Sequence, residues 1–153
     1  MRRAFRQGMT MIELIVVLAV IGILVAITAV TFLDVREQNR DTVRLSDISQ
    51  IEAALRAYKR DVGTYPTLLT AGAELKASST VYLAAVPTPP SPSDGSCANY
   101  PLYATYYYSL SVDTKSYCLS FCLGGQTSDL TAGAKFLLPT GIIDTAFDNT
   151  SCL

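Results

Sequence analysis

The chain has 153 residues, half of them hydrophobic, and its 12 basic and 13 acidic side chains give a formal net charge of −1. So small a charge argues against a nucleic-acid binder, because such proteins hold the phosphate backbone with many lysine and arginine side chains. Histidine is absent, which removes the commonest general base and metal ligand and disfavours hydrolases that use a Ser-His or Cys-His pair.

The first predicted element is a membrane-length helix. Arg2, Arg3 and Arg6 precede residues 14–33, a run that contains no charged residue and no proline. At about 1.5 Å per residue in a helix, this run can cross a hydrocarbon core about 30 Å thick. Basic residues favour the cytoplasmic side of a membrane span. We therefore expect a single-pass precursor in the cytoplasmic membrane, in contact with lipid, with its N-terminus inside and its C-terminal part exported.

The start of this run resembles a known processing signal. Gly8, Thr10 and the sequence Ile12-Glu13-Leu14, followed by the apolar run, are similar to the class III signal of type IV prepilins and type II secretion pseudopilins. The resemblance implies that a prepilin peptidase cuts between Gly8 and Met9 and methylates the new N-terminal Met9. It also implies that Glu13 is the carboxylate used in filament assembly.

Two departures from the usual signal are conservative. Met9 replaces the usual phenylalanine and Met11 replaces a common leucine, and both changes keep an apolar side chain. The alternatives are an uncleaved membrane anchor or an ordinary secretory signal, whose apolar region is typically about 7 to 15 residues long. Removing the leader, residues 1–8, leaves 12 − 3 = 9 basic residues against 13 acidic ones, so the formal charge becomes 9 − 13 = −4.

Beyond the apolar run, the helical pattern continues to residue 61. Apolar side chains recur at steps of three and four residues and form one stripe, as in a helix packed on a core. They are Ile48, Ile51, Leu55, Tyr58 and Val62. The opposite face carries charges of both signs and is expected to face solvent or neighbouring subunits. Its charged members are Arg36, Glu37, Arg40, Asp41, Arg44, Asp47, Glu52, Arg56 and Lys59.

Gly22 is the only glycine between Met9 and Val62. Glycine in a helix interior costs about 1 kcal/mol relative to alanine. The resemblance implies that the helix melts locally near such a glycine during filament assembly, often helped by a proline that this chain lacks. A close helix–helix contact at Gly22 is the alternative.

The helix is predicted to end at Gly63 and Pro66, because glycine suits the left-handed cap position and proline does not continue a helix. Residues 67–85 are expected to form a connecting loop with one short helix, at the position of the family's αβ-loop. Residues 86–95 are rich in proline and serine and predict a surface loop, since proline lacks the N–H that a central strand needs. A polyproline ligand for a recognition domain is the alternative for this segment.

A β-hairpin is predicted next. Residues 103–111 and 116–123 are rich in tyrosine, leucine and β-favouring residues, and a third strand is expected at residues 134–138. Three antiparallel strands packed on the helix stripe would form one core. Neighbouring side chains of Tyr106-Tyr107-Tyr108 point to opposite faces of a strand. We therefore expect this cluster to lie partly in the core and partly on a half-exposed face.

Four cysteines lie in the part expected to be exported, where an oxidising environment favours two disulfides. Cys118 and Cys122 share one face of a predicted strand, about 13 Å apart, which is too far for a bridge. Two connectivities remain, and the hairpin register favours Cys97–Cys122, with Cys118 bonded to Cys152. A four-cysteine zinc site is the alternative.

No metal site and no cofactor are predicted. Asp144, Asp148 and Asn149 offer oxygen atoms of the kind that calcium binds, and some pseudopilins use a C-terminal loop in this way. These residues lack the alternate-residue spacing of a dedicated calcium loop. Turn formation therefore explains them better.

Together these elements predict an α+β protein with the type IV pilin fold, in which a long N-terminal helix packs on a small antiparallel sheet. The expected divisions are a leader at residues 1–8 and a membrane and filament-core half of the helix at residues 9–33. The amphipathic half of the helix follows at residues 34–62, and a globular headpiece with sheet and disulfides at residues 63–153.

The resemblance implies a structural subunit of a type IV pilus, which is a helical surface filament, rather than an enzyme. A type II secretion pseudopilin or a minor pilin is the alternative within the family. A membrane-tethered exported binding protein is the alternative from another class. The expected partners are other copies of the chain, the prepilin peptidase and the assembly machinery in the membrane, and the net charge predicts no nucleic acid.

Overall fold

The computed structural model describes residues 9–99 and 105–144, without the side chains of residues 28–34 and 99. The chain forms two compact units, Met1–Arg36 and Glu37–Leu153. One long helix, α1, spans Met11–Val62 and contributes residues to both units. This helix agrees with the prediction for residues 9–61, apart from a start two residues later.

In the first unit, residues 11–27 of α1 expose side chains on every side of the helix. The exposed fraction is 83% at Met11 and 62% at Ile15, and a helix that is apolar all round needs an apolar environment on every side. Among the residues whose side chains are described, no helix reaches the length and apolarity of a membrane span. The predicted span includes residues 28–33, whose side chains lie outside that description.

The C-terminal end of α1 is closed by glycine, as predicted. Gly63 has a φ of 90°, and its N–H donates to the carbonyl of Lys59 at 2.8 Å. This bond satisfies one of the carbonyl groups that a helix end leaves open. The N–H of Tyr65 then donates to the carbonyl of Thr114 at 3.2 Å, which ties the exit from α1 to a turn further along the chain.

A small hairpin follows α1, so the prediction of a loop with a short helix is wrong for this segment. Strand β1 (Leu75–Ala77) pairs antiparallel with β2 (Thr80–Leu83). Ser78 has a φ of 51° in the tight turn between them. Residues 75–83 are too few for a stable isolated helix. The side chains of β2 favour a strand, and β2 pairs with β1 instead.

The larger sheet has four antiparallel strands in the order β3-β4-β5-β6. They are β3 (Tyr107–Leu110), β4 (Tyr117–Leu123), β5 (Gly133–Leu138) and β6 (Gly141–Ile143). The three predicted strands are present, although β3 begins later than predicted. Strand β6 was not predicted, because it has only three residues and is joined to β5 by a tight turn.

The core of the second unit lies between α1 and this sheet. Ile48, Ile51 and Leu55 on α1 are at most 1% exposed, and so are Leu119 and Phe121 on β4. Burying each such side chain stabilises the fold by about 1.5–3 kcal/mol. The predicted helix stripe is therefore the face that meets the sheet, and the α+β fold is confirmed.

The tyrosines alternate as predicted. Tyr107 is 66% exposed, whereas Tyr106 and Tyr108 pack against the core. The hydroxyl of Tyr106 donates to Asp47 at 2.8 Å, and that of Tyr108 donates to the carbonyl of Pro66 at 2.7 Å. The two inward hydroxyls thus connect β3 and the residue before it to α1 and to the segment that follows α1.

Candidate functional site

The start of α1 is held by a reciprocal pair of hydrogen bonds. The N–H of Glu13 donates to the hydroxyl of Thr10 at 3.3 Å, and the N–H of Thr10 donates to Glu13 Oε2 at 3.4 Å. This arrangement is a capping box, in which two side chains satisfy amides that a helix start leaves open. Met9 therefore precedes the helix, and its side chain is 64% exposed.

The capping box gives Glu13 a partner within its own chain. Its negative charge also lies in the first turn, where the helix dipole favours an anion. The resemblance implies only an assembly role for Glu13. The capping role has a local signal in the sequence, because Thr10 and Glu13 have the spacing of the motif in which serine or threonine is followed three residues later by glutamate or glutamine. Gly8, on the other side of the predicted cut, lies outside the described residues.

Gly22 lies inside α1, which continues through it without interruption. A Cβ atom built on Gly22 would meet no atom within 4 Å. The glycine therefore leaves a shallow gap on the surface of the helix. Its proposed flexibility in a filament and its proposed role in helix contacts both remain predictions.

A group of buried and half-buried charges connects α1 to a later loop in the second unit. Arg40, Asp41, Arg44 and Asp94 form what we call the charge clasp. Arg44 lies 2.5 Å from Asp41 (Nη1 to Oδ1) and 2.7 Å from Asp94 (Nη2 to Oδ1). Arg40 Nη1 lies 2.8 Å from the other carboxylate oxygen of Asp94 and donates to the carbonyl of Pro92 at 3.2 Å. The charge clasp therefore ties α1 to the end of the proline-rich loop.

The turn after β4 completes the environment of Asp41. The N–H of Gly124 donates to Asp41 Oδ1 and that of Gly125 to Oδ2, both at 2.8 Å. The hydroxyl of Thr127 donates to Oδ2 at 3.3 Å. Asp41 is fully buried, and these donors offset the cost of removing its carboxylate from water. The strand end and α1 are thus joined by one carboxylate.

The backbone of this turn passes close to acidic side chains, and glycine is required at the neighbouring Gly95. A Cβ atom on Gly125 would lie 2.5 Å from Glu37 Oε1, and one on Gly124 would lie 3.0 Å from Asp94 Oδ1. Gly95, the next residue after Asp94, has a φ of 51°, and a Cβ there would lie 2.3 Å from the carbonyl oxygen of Gly124. A side chain at Gly95 would therefore separate the loop from the strand end, whereas one at Gly124 or Gly125 would require the side chains of Asp94 and Glu37 to shift.

The prediction that the charged face of α1 meets solvent or neighbouring subunits is wrong for three of its members. Asp41, Arg44 and Asp47 are 0%, 2% and 9% exposed. Burial alone lowers the pKa of Arg44, but the hydrogen bonds from Arg44 to Asp94 and Asp41 outweigh it and leave that pKa raised. Burial raises the pKa of Asp47, and the hydrogen bond from Tyr106 acts against it. Charged side chains on a helix stay in water unless another element covers them and supplies partners. Here the proline-rich loop and the sheet supply those partners.

Cys97, in a short 3-10 helix (Gly95–Asn99), and Cys122, in β4, form the disulfide that the hairpin register predicts. Their Cα atoms are 5.7 Å apart. Cys118 is also disulfide-bonded, and Cys152, its predicted partner, lies outside the described residues. Sulfur atoms in disulfides are not thiolate ligands. Cys97 and Cys122 are therefore not free to act as ligands in the alternative four-cysteine zinc site.

Asp144 is engaged in an ion pair. Its Oδ1 lies 2.6 Å from Lys135 Nζ, and Thr131 donates to it from its N–H at 2.9 Å and from its hydroxyl at 2.8 Å. These contacts, led by the one with Lys135, lower the pKa of Asp144 to about 2. Asp148 and Asn149, the other two residues considered for calcium, lie outside the described residues.

Comparison with known proteins supplies a family for the N-terminal signal. Residues 3–29 match the model of the prokaryotic N-terminal methylation motif. The chain is also 39% identical over 67 residues to type II secretion system core protein G of Pseudomonas aeruginosa. The chain carries a prepilin-type methylation motif, and over these 67 residues it is similar to a type II secretion pseudopilin. The predicted resemblance is thereby confirmed.

Two further pseudopilin relatives agree with this result. Type II secretion system core protein G of Klebsiella michiganensis is 34% identical and that of Aeromonas hydrophila is 33% identical, each over 67 residues. Each alignment covers 44% of this chain and 47% of the relative, so the chain spans about half the length of the curated relatives it matches. No solved structure matches the chain.

The pseudopilin homology and the structure together divide the candidate site residues into two groups. Met9, Thr10 and Glu13 come together at the start of α1 and belong to the matched motif. The charge clasp lies in the second unit and was missed by sequence analysis. Its charged residues come from α1 and from a loop about fifty residues later, so no local pattern could have identified it.

Proposed function

We propose that the chain is a pseudopilin, a filament subunit of a type II secretion system. The observation that carries this proposal is the similarity to core protein G of such systems in three species, combined with the methylation motif. The role is structural rather than enzymatic and needs no cofactor. Its partners are further copies of the chain, the prepilin peptidase and the assembly machinery of the membrane.

Before assembly, the precursor is stored in the cytoplasmic membrane with its N-terminus inside. The apolar first part of α1, exposed on all sides over residues 11–27, supports this step because such a surface is stable in lipid. The proposed precursor has four parts: a leader at residues 1–8, a membrane part at 9–33, an amphipathic part at 34–62 and an exported headpiece at 63–153.

Processing then removes the leader by a cut between Gly8 and Met9, and the new amine of Met9 is methylated. The capping box supports this step, since it starts α1 at Met11 and leaves Met9 outside the helix. In the filament, the Glu13 carboxylate meets the Met9 amine of an incoming subunit. Glu13 lies at the start of the apolar run, where few charged partners are available, so pairing with an amine favours docking in one register.

A type IV pilus subunit, the function predicted first from the sequence, is the second candidate. Precursors of type IV pilins and of type II secretion pseudopilins share the class III signal. This signal is the observation that supports the second candidate. The similarity to core protein G favours the pseudopilin. The two candidates differ in what the cell loses when the chain is absent.

A deletion strain, complemented with the wild-type chain, tests the proposal. We expect deletion to abolish the release of type II secretion substrates into the medium while the yield of sheared surface filaments stays unchanged. Loss of the bulk surface filaments with normal secretion would instead favour the pilus subunit.

Mass analysis of the assembled chain tests its processing. The expected N-terminus is a methylated Met9. Gly8→Leu should leave the leader attached, because a large side chain replaces the residue at the cut. Gly22→Ala is the matched control and should be processed normally, since a Cβ at Gly22 meets no neighbouring atom. Retention of Met1, or an N-terminus near Val30, would contradict prepilin processing.

A further inference from the structure

The Cys97–Cys122 disulfide lies next to the charge clasp in the chain and in the fold. Cys97 follows Asp94 by three residues, and Cys122 precedes Gly124 by two. The bond therefore holds together the two segments that supply partners to Arg44 and Asp41. Two backbone hydrogen bonds at 2.9 Å belong to the same junction, from the N–H of Ser96 to Gly124 and from the N–H of Cys97 to Asp94.

The charge clasp depends on both segments being in place at once. Asp41 and Arg44 are buried, and a buried charge is strongly unfavourable when its partners are missing. The cysteines are 25 residues apart in sequence, so the loop and the strand end must meet against the entropy of closing that segment. The disulfide removes most of this entropy from the open state.

We propose that the Cys97–Cys122 disulfide is a redox latch that closes the charge clasp only after export. In a reducing compartment the two thiols remain unpaired, Asp94 and Gly124 are not held together, and the stretch of α1 that carries Asp41 and Arg44 is not fully docked. Oxidation then fixes both segments, and the buried charges gain their partners.

The oxidant is a disulfide of a protein or a small molecule. A thiolate of the chain attacks it, a mixed disulfide forms, and the second cysteine displaces the remaining sulfur. The Cys97–Cys122 bond forms, the oxidant's own disulfide breaks, and two electrons and two protons pass from the chain to the oxidant, which leaves as two thiols. Cys97 and Cys122 are 3% and 4% exposed after closure, so a reductant reaches them only when the charge clasp opens.

Amide hydrogen exchange of the full chain in detergent micelles tests the latch. The Cys97→Ser/Cys122→Ser variant is compared with the wild type. The amides of Gly124 and Gly125 report on the charge clasp, because they donate to Asp41, and the amides in the middle of β4 and β5 report on the sheet. We expect exchange at the two glycines to rise by about tenfold or more, while exchange in the sheet rises by less than about threefold.

Two results of this comparison would overturn the latch. Unchanged exchange at Gly124 and Gly125 would mean that the charge clasp closes without the bond. An equal rise in exchange at every amide, or loss of folding, would mean that the bond stabilises the whole second unit rather than the charge clasp.

A variant that keeps both cysteines tests the same coupling in reverse. Coupling between two sites is reciprocal, so opening the charge clasp must make the disulfide easier to reduce. Asp94→Asn removes the charge that Arg40 and Arg44 share, and alkylation of Cys97 and Cys122 after equilibration with dithiothreitol measures the reduced fraction. We expect the equilibrium constant for reduction to rise by about tenfold, with wild-type behaviour in the exposed control Asp129→Asn. Equal reduction in Asp94→Asn and wild type would overturn the proposal.

Discussion

Arg44 and Asp41 form an ion pair one helical turn apart, at 2.5 Å, with side chains only 2% and 0% exposed. Pairs at this spacing usually lie on a helix surface and contribute less than about 1 kcal/mol. Here the pair lies under a loop and a strand end, so its contribution depends on complete pairing. The position of α1 on its sheet is thus set by charges as well as by the apolar stripe.

We expect Arg44→Met to destabilise the second unit by about 3–5 kcal/mol, because it leaves Asp41 buried without its cation and leaves Asp94 paired with Arg40 alone. Urea unfolding of the full chain in micelles measures the change. Arg56→Met is the matched control, since Arg56 pairs with Glu52 in an exposed position and its loss should cost less than about 1 kcal/mol. Equal effects of the two substitutions would contradict a special role for the charge clasp.

Glu13→Gln and Glu13→Ala together separate the two roles of Glu13. Glutamine keeps the capping box but removes the charge, whereas alanine removes both. If the carboxylate pairs with an amine in the filament, both variants should be processed and inserted, and both should assemble poorly. The yield of crosslinked or sheared filaments, with each variant as the only copy in the cell, measures this. Normal assembly of Glu13→Gln together with poor assembly of Glu13→Ala would show that assembly needs the cap and not the charge.

Thr10→Val should weaken the start of α1 by about 1 kcal/mol, as expected for the loss of an N-terminal cap. The expected readout is faster exchange of the Glu13 amide, which donates to the Thr10 hydroxyl. Thr10→Ser keeps the hydroxyl and should retain wild-type exchange. If valine and serine behave alike, the hydrogen bond does not hold the helix start.

The ion pair of Asp144 predicts a loss of stability in acid. The contact with Lys135, together with the hydrogen bonds from Thr131, lowers the pKa of Asp144 to about 2, below the ordinary value of about 3.9. Between these values the unfolded chain binds more protons than the native chain, so stability falls as the pH drops from about 4 to about 2. Asp144→Asn should flatten this part of the profile of thermal midpoint against pH. Asp129→Asn, an exposed aspartate nearby, should keep the wild-type slope.

Local patterns were sufficient to predict much of the fold. The stripe through Ile48, Ile51 and Leu55 identified the buried face of α1, and Gly63 identified its end, because helix period and capping act within a few residues. The Cys97–Cys122 bond was predictable because a hairpin allows few partners within bonding distance. The short β1–β2 hairpin was not predictable, since its three- and four-residue strands are determined by pairing rather than by composition.

The charge clasp was not predictable for a different reason. Asp41 and Arg44 have the spacing and composition of an ordinary solvated pair, and nothing near them in sequence marks them as buried. Their partners, Asp94 and the amides of Gly124 and Gly125, come from distant segments. Only the tertiary fold shows that protein groups surround these charged side chains where water would otherwise do so.

Because Asp41, Arg44 and Asp47 face inward, the outward side of this stretch of α1 is left without charge. Its exposed residues between Asp41 and Glu52 are Thr42, Val43, Ser46, Ser49 and Gln50. Mobile ions screen exposed charges over about 10 Å at 0.1 M ionic strength, and a neutral surface offers them nothing to screen. Any contact that a neighbouring molecule makes with this side of α1 should therefore change little with salt concentration.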